Sequence, residues 1–361
     1  MNKLHDFGVL SDDRRRLLER LLKKEGIDLA SPPVVARRAD ARVPASFAQK
    51  PLLFGEQLFG STSVYNISAA ANLSGPLDTG ILQKCLREIV RRHETLRTRF
   101  DIQDGEGVQV IDGPGPFELD LADLSGLEPA LREAMVRRLV EDEAARPFDL
   151  SKGPLFRAKA VRLGDQEHVI LVTMHHIVSD GLSIGILLTE LAALYQAFAQ
   201  ELPSPLPELA IQFADFAQWQ RTSLDDGTLR KHVDYWKLRL QEAPAALDLP
   251  TDRPRPNAAN FDGGVLNFAL PRELSEKLRA FARREEVTLY MVLLAAFQLL
   301  LKRYSGQVDI VVGSPIAGRP RREFEGLIGL FVNTVVMRTD LSGDPPVRDL
   351  LKRVKDVALG A

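Results

Sequence analysis

The run HVILVTM, His168–Met174, is apolar and β-branched almost without a break, yet too short for a buried helix. It fits a strand buried inside a fold. Directly behind it stand two adjacent histidines and an Asp-Gly turn, HHIVSDG (His175–Gly181). Ile184, Leu187, Leu188, Leu191, Tyr195 and Phe198 then follow at helical spacing. A buried strand turning directly into an apolar-faced helix points to a mixed α/β architecture, in which helices cover a sheet.

The same alternation extends in both directions. Leu82, Cys85, Leu86 and Ile89 mark a helix, and LFRAKAVRL (Leu155–Leu163) has the alternation of a strand. Further on, the pattern predicts helices at Glu273–Arg284 and Leu289–Tyr304 and strands at Asp309–Val312 and Leu330–Arg338. A length of 361 residues calls for two lobes, and no internal repeat is visible. Before them, Ser11 can cap a helix with Asp12 and Asp13 in its first turn and Lys23 and Lys24 in its last, stopped by Gly26. The stretch DLASPPVVARRADARVPAS that follows reads as a linker. The expected division is therefore 1–43 for helix and linker, 44–207 for an N-terminal lobe and 208–361 for a C-terminal lobe. After Pro346, Val347, Leu350, Leu351, Val354 and Val357 form one face of a last helix, and the sequence offers nothing downstream to cover it. Either an earlier part of the chain receives that face or the sequence is a fragment.

Several function classes are disfavoured. A net charge of −2 and a pI near 6.4 give no pull toward nucleic acid or anionic membranes. Cys85 is the only cysteine, so neither an internal disulfide nor a multi-cysteine metal site can form; on the apolar face of its helix it reads as a packed thiol. The most apolar run, Leu289–Leu301, is too short to span a bilayer, and the start lacks a basic-then-apolar signal; a cytoplasmic location is expected. There is no G-x-S-x-G, no HExxH, no phosphate loop and no GxGxxG, so neither metal nor bound cofactor is expected.

Successive side chains of a strand point to opposite faces, so His175 and His176 cannot converge on one metal. One must point inward and the other toward a cleft. From the residues alone two readings fit: a pair of structural histidines with Asp180 capping the next helix, or one polarised histidine able to share a proton at neutral pH.

HHIVSDG resembles the HHxxxDG motif of condensation domains of nonribosomal peptide synthetases, within the chloramphenicol acetyltransferase-like superfamily. The order of further matches strengthens it: SFAQ (Ser46–Gln49), YNI before LSGPLD (from Tyr65), RHETLRTRF (Arg92–Phe100), FADFAQW (Phe213–Trp219), TDRPRP (Thr251–Pro256) and IGLFVNT (Ile328–Thr334). The resemblance covers residues 44–361. Pro51 and Leu53 stand where the family usually carries Arg and Trp, and Leu182 where it often carries Trp; these affect an expected N-terminal strand contact and packing after the motif, not the chemistry. The family motifs that normally follow FVNT are missing, which implies a second lobe cut short.

The resemblance implies two acetyltransferase-like lobes in a V-shaped pseudo-dimer. It implies an amide bond formed between a donor acyl or peptidyl thioester and the α-amine of an acceptor aminoacyl thioester. Both substrates would ride on phosphopantetheine arms of donor and acceptor peptidyl carrier protein domains, beside an adenylation domain, with no cofactor held by the chain itself. His176 becomes the tunnel-facing catalytic histidine and His175 the packed one; Gly181 lets the backbone approach the thioester. Asp180 becomes a structural carboxylate paired with arginine, Arg92 in first place and Arg97 and Arg319 in reserve. Asn333 and Ser183 are expected along the substrate tunnel. HHIVSDGLS with FVNT resembles the type that accepts an L-configured donor. The alternatives are an epimerisation domain of the same fold and a non-catalytic platform for carrier proteins.

Overall fold

The computed structural model describes residues 34–37, 42–224, 226–253 and 263–361. The helix expected at 11–25 lies outside these residues, with most of the linker behind it. The described residues form two compact units: those from 34 to 224 together with 317–332, and those from 226 to 316 together with 333–361.

In the first unit, β1 (Val43–Pro44), α1 (Gln49–Phe59), β2 (Asn66–Ser74) and α2 (Thr79–Arg92) come first. They are followed by β3 (Thr98–Gln103), β4 (Glu106–Ile111), β5 (Asp120–Asp123), α3 (Pro129–Ala145), β6 (Phe156–Gly164), β7 (Glu167–His175), α4 (Gly181–Phe198) and α5 (Phe213–Ser223). The order β2-β7-β6-β5 makes β7 an inner strand of a four-stranded sheet, while β1, β4 and β3 form a smaller one. This explains HVILVTM. Ile170, Val172 and Met174 pack on Leu82, Leu86 and Ile89 of α2 and Leu187, Leu191 and Leu194 of α4. Val169 and Leu171, on the other face, meet Met135 and Leu139 of α3. Each such side chain contributes roughly 1.5–3 kcal/mol when fully buried. Helix α4 has the length and apolarity of a membrane span, and its Leu187, Leu191 and Leu194 are spent in this core.

The second unit holds α6 (Asp226–Leu240), α7 (Arg272–Arg284), α8 (Leu289–Ser305), β8 (Asp309–Ile316), β9 (Asn333–Asp340) and α9 (Val347–Gly360). Thr288 caps α8 by accepting from Met291 N–H at 3.2 Å, and Gly306 ends it at φ 71°. Strands β8 and β9 pair antiparallel, Asp309 opposite Asp340.

The mixed α/β class holds, and two expectations change. The boundary drawn at 207/208 is displaced, because 208–224 and 317–332 both belong to the first unit. An aromatic cluster joins them: Phe213 and Phe216 of α5 contact Phe331, with ring centroids 5.0 and 4.6 Å away. The strand expected from Leu330 begins at Asn333, since Leu330 and Phe331 are buried in that cluster. For the last helix, the first of the two alternatives applies, and an earlier part of the chain receives its apolar face. Leu350, Leu351 and Val354 pack against Met291, Leu294, Ile310 and Met337, and only Val347 of the predicted face stays exposed.

Candidate active site

Strand β7 ends at His175, and His176 opens a short 3₁₀ turn to Val178. The alternation of the strand carries to its end. His175 N–H donates to Leu155 O at 3.0 Å on the β6 side, and His176 N–H donates to Tyr65 O at 2.7 Å on the β2 side.

The two imidazoles then part company. His175 is 1% exposed, packed between the Tyr65 and Phe148 rings. Its Nδ1 accepts Ile177 N–H at 3.1 Å, which puts the proton of the neutral ring on Nε2. Burial, aided by the His176 charge, pulls its pKa down to about 4, so this ring stays neutral at physiological pH. His176 is only partly buried, and its Nδ1 lies 2.7 Å from Ser179 O. A carbonyl can only accept, so Nδ1 carries the proton and the lone pair is left on Nε2. Helix α1 supports the turn from behind: buried Gln49 donates its Nε2 to Ile177 O at 2.9 Å, and Leu53 packs with Ile177 and Val178. The segment that departs from the family pattern is thus a helix rather than a strand. Pro51 sits in its first turn, where a missing N–H is harmless, and Leu53 fills the core.

Asp180 is the N-cap of α4. Its Oδ1 accepts Ser183 N–H at 2.9 Å and the Ser183 hydroxyl at 2.7 Å. Its Oδ2 accepts Phe331 N–H at 3.2 Å. The arginine on Asp180 is Arg319, whose Nη2 is 3.1 Å from both carboxylate oxygens. Arg319 also donates through Nη1 to Phe324 O and Leu327 O, both at 2.6 Å, and lies 3.9 Å over the Phe331 ring. Burial lowers the guanidinium's pKa, against the opposing pull of Asp180. Asp180 makes no hydrogen bond to His176 among those described; it fixes the turn rather than the proton.

Arg92, the expected partner, is engaged elsewhere. Its Nε donates to Glu190 Oε1 at 2.9 Å, and Glu190 Oε2 takes Nε2–H of His93 at 2.9 Å. Burial pushes the Glu190 carboxyl up, but the hydrogen bonds and charges of His93 and Arg92 outweigh it and hold it below the usual range. Arg97 donates to Asp112 O and lies 3.7 Å from Glu94, also away from Asp180. Glu190 was missed in the sequence, although a lone acid in the apolar helix 181–198 was a visible signal.

Ser183 does not face a tunnel. It is fully buried, and its hydroxyl accepts N–H from Asp180 at 3.2 Å and from Gly329 at 3.1 Å. The chain around Gly329 has no spare room. A Cβ there would come within 2.1 Å of the Phe213 ring, and one at Gly318, where φ is +63°, within 1.8 Å of Phe331 O. Asn333 belongs to the second unit; it is exposed and accepts Thr334 N–H through Oδ1 at 2.9 Å. Gly181 opens α4, exposed, with nothing within 4 Å of where a Cβ would sit. Cys85 is buried and its thiol pKa is pushed up to about 11 by that burial, which leaves it inert. Among the described residues no three His, Cys, Asp or Glu side chains gather as a metal site.

Comparison with known proteins gives a consistent picture. The family model "Condensation domain" matches residues 40–361. One of the large proteins of linear gramicidin synthase from Brevibacillus parabrevis is 49% identical over 322 residues, covering 89% of this chain. Two further proteins of that synthase match at 46% identity, and the chain spans only 6%, 7% and 4% of the lengths of the three. Among solved structures, the X-domain from teicoplanin biosynthesis matches with a TM-score of 0.80 at 28% identity, over 91% of this chain and 72% of that one. A four-domain nonribosomal peptide synthetase matches with a TM-score of 0.78 at 27% identity, over 88% of this chain and 24% of that one.

Proposed function

This chain belongs to the condensation domain family, and from that premise we propose that it forms an amide between two carrier-bound thioesters. The acceptor's α-amine attacks the donor carbonyl, the C–S bond breaks, and the sulfur leaves as thiolate. The amine gives up a proton to Nε2 of His176, which passes it to the departing thiolate. The observation that carries this is the tautomer: Ser179 O holds the Nδ1 proton and leaves Nε2 as the only basic atom of a partly exposed imidazole.

The demand on His176 is moderate. An α-amine with pKa near 8 is roughly one-tenth neutral at pH 7, and a thiol with pKa about 8.5 leaves readily. Holding the two tethered reactants together supplies much of the acceleration, and a positioned base adds about 10²–10⁴-fold. Gly181 N–H lies in the first turn of α4, where helical N–H groups have no helical acceptor, and in this reading it donates to the developing oxyanion. The reading includes an L-configured donor, carrier domains bringing both substrates on phosphopantetheine arms, a neighbouring adenylation domain, no cofactor held by this chain, and a cytoplasmic setting. The synthetase relatives support the amide-forming reaction and its carrier and adenylation neighbours.

The test is a single-turnover assay with preloaded carrier domains, read by mass spectrometry and chiral analysis. The expected product is the amide, with an L-donor preferred. An inverted α-carbon without a new bond would replace the reading by epimerisation, and stable binding without product by a platform. His176→Asn sharpens the assay: its amide N–H can still reach Ser179 O, yet no base remains. It should fold normally and lose about 10²–10⁴-fold in rate. Turnover within a few-fold of wild type would remove His176 from the chemistry.

A further inference from the structure

Near the end of the four-stranded sheet away from His175 and His176 lies a cavity of about 470 Å³. Strand register shows which side chains meet there. Leu121 of β5 stands opposite Ala160 of β6, and Asp123 opposite Arg162. Ala160 in turn stands opposite Ile170 of β7, and Arg162 opposite His168. Residues paired across strands share a face, and Ile170 belongs to the core packed against α2 and α4. Leu121, Asp123, Arg162 and His168 therefore continue that face past the core. Thr79, where α2 begins, and Pro76 and Leu77 of the loop before it complete the lining. His168 precedes His175 by seven residues on one strand, about 23 Å at 3.3 Å per residue, so the cavity is separate from the active site.

His168 is the anomaly of this cavity. It is only 5% exposed, yet its Nδ1 is enclosed without a hydrogen-bond partner. Nε2 has no partner among the described residues either, and it is not enclosed, so it is the ring nitrogen left to open on the cavity. A buried imidazole with neither nitrogen bonded is unfavourable, and a hydrogen-bonding molecule at Nε2 relieves it. The charges beside it are unequal. Arg162 lies 3.3 Å from Asp123 and 2.5 Å from Asp165 in the β6–β7 turn. One guanidinium thus faces two carboxylates, which leaves one negative charge over. Asp123 Oδ1 is taken by the N–H and hydroxyl of Ser125, whereas Asp165 Oδ2 accepts nothing among the described residues.

We propose that this cavity is a binding site for a small primary amine with a compact apolar body. The ammonium group donates to His168 Nε2 and to the Asp165 carboxylate, and the carbon body lies against Leu77, Leu121 and Ala160. A surplus carboxylate favours a cation and repels an anion. An apolar wall with a few polar groups, at this volume, is the usual make-up of a small-molecule site. Nε2 accepts only when the ring proton sits on Nδ1, so the bound amine fixes one tautomer of His168. None of this depends on the reaction at His176.

The experiment uses the full chain labelled with carbon-13 at Cε1 of its six histidines and titrated with isoamylamine at constant neutral pH, read by NMR. The His168 signal is identified by its loss in His168→Asn. Should that variant fail to fold, Leu121→Ala identifies it instead by displacing the same signal, since Leu121 is 57% exposed and dispensable to the core. The expected result is a saturable shift of the His168 signal alone, half complete at about 1–10 mM as suits so small a ligand. Isovalerate, the same carbon skeleton ending in a carboxylate, should give no saturable shift. Asp165→Lys changes a residue 84% exposed, so the melting temperature should hold while the amine binds at least tenfold more weakly. Absence of a saturable His168 shift up to about 50 mM would mean that the cavity holds water only, and would overturn the proposal. Equal binding of isovalerate, or unchanged amine binding in Asp165→Lys, would overturn it as well. So would a shift of several histidine signals together, which marks unspecific adsorption.

Discussion

Arg319 and Asp180 are 139 residues apart in sequence and form a buried ion pair, with one guanidinium nitrogen 3.1 Å from both carboxylate oxygens. Both side chains are under 5% exposed. Such a pair adds little net stability, because desolvation offsets the attraction, but removing one partner strands a buried charge at about 3–5 kcal/mol. Asp180→Asn and Arg319→Gln should each destabilise strongly in urea, and the double variant should lose markedly less than the two single losses added together. Asp180→Asn combined with Arg92→Gln should be additive, since Arg92 belongs to Glu190. Additive losses for Asp180 and Arg319 would refute the pairing.

Much of this arrangement is legible in the sequence, and what escapes it has one cause. The limits of β7, α4 and α8 fall within three residues of expectation because hydrophobic period is a local property. That His175 and His176 face differently also follows locally, from strand alternation, while which of them packs inward comes from the family resemblance. The choice of Arg319 over Arg92 does not, because it requires residues 317–332 to return to the first unit after the chain has left it. Ser183 escapes for the same reason: its hydroxyl bonds both the N–H and the carbonyl of Gly329. The cover for the last helix, one of two alternatives the sequence left open, is supplied by β8, β9 and α8, upstream in the chain.

His175 sets a pH dependence on stability. Its folded pKa is lowered from 6.5 to about 4, so the unfolded chain binds the proton more readily. The stabilisation is fully present above pH 6.5 and is lost as the pH falls toward 4. At about 1.4 kcal/mol per pKa unit the loss is roughly 3 kcal/mol. Urea denaturation at pH 7 and pH 4 should show it. His175→Asn, whose side-chain oxygen can still accept Ile177 N–H, should be less stable at pH 7 but have a flatter profile. An equally steep profile in His175→Asn would assign the dependence to other groups.

Ser183→Ala separates a buried tie from a tunnel wall. The hydroxyl serves Asp180 and Gly329, so its removal orphans buried N–H groups and should destabilise by about 1–3 kcal/mol. Substrate selectivity should not move, because the side chain is fully enclosed. A changed preference among donor or acceptor side chains, at unchanged melting temperature, would place Ser183 back on the substrate path.

Gly181 gives the sharpest contrast between space in the free protein and space in the reaction. A Cβ at this position meets nothing within 4 Å, and the backbone is outside the left-handed region. Gly181→Ala should therefore fold as well as wild type or gain about 0.4–1 kcal/mol from reduced unfolded-state entropy. Its effect should appear in catalysis. A methyl group at the first position of α4 would stand between its N–H and a thioester carbonyl, so amide formation should fall at least tenfold while carrier affinity holds. The measurement is single-turnover rate beside thermal melting on the same preparation. A stable variant with the wild-type rate would mean that the thioester does not approach Gly181, and the oxyanion would then have to be held by another group. A destabilised variant would mean instead that this glycine is needed by the fold.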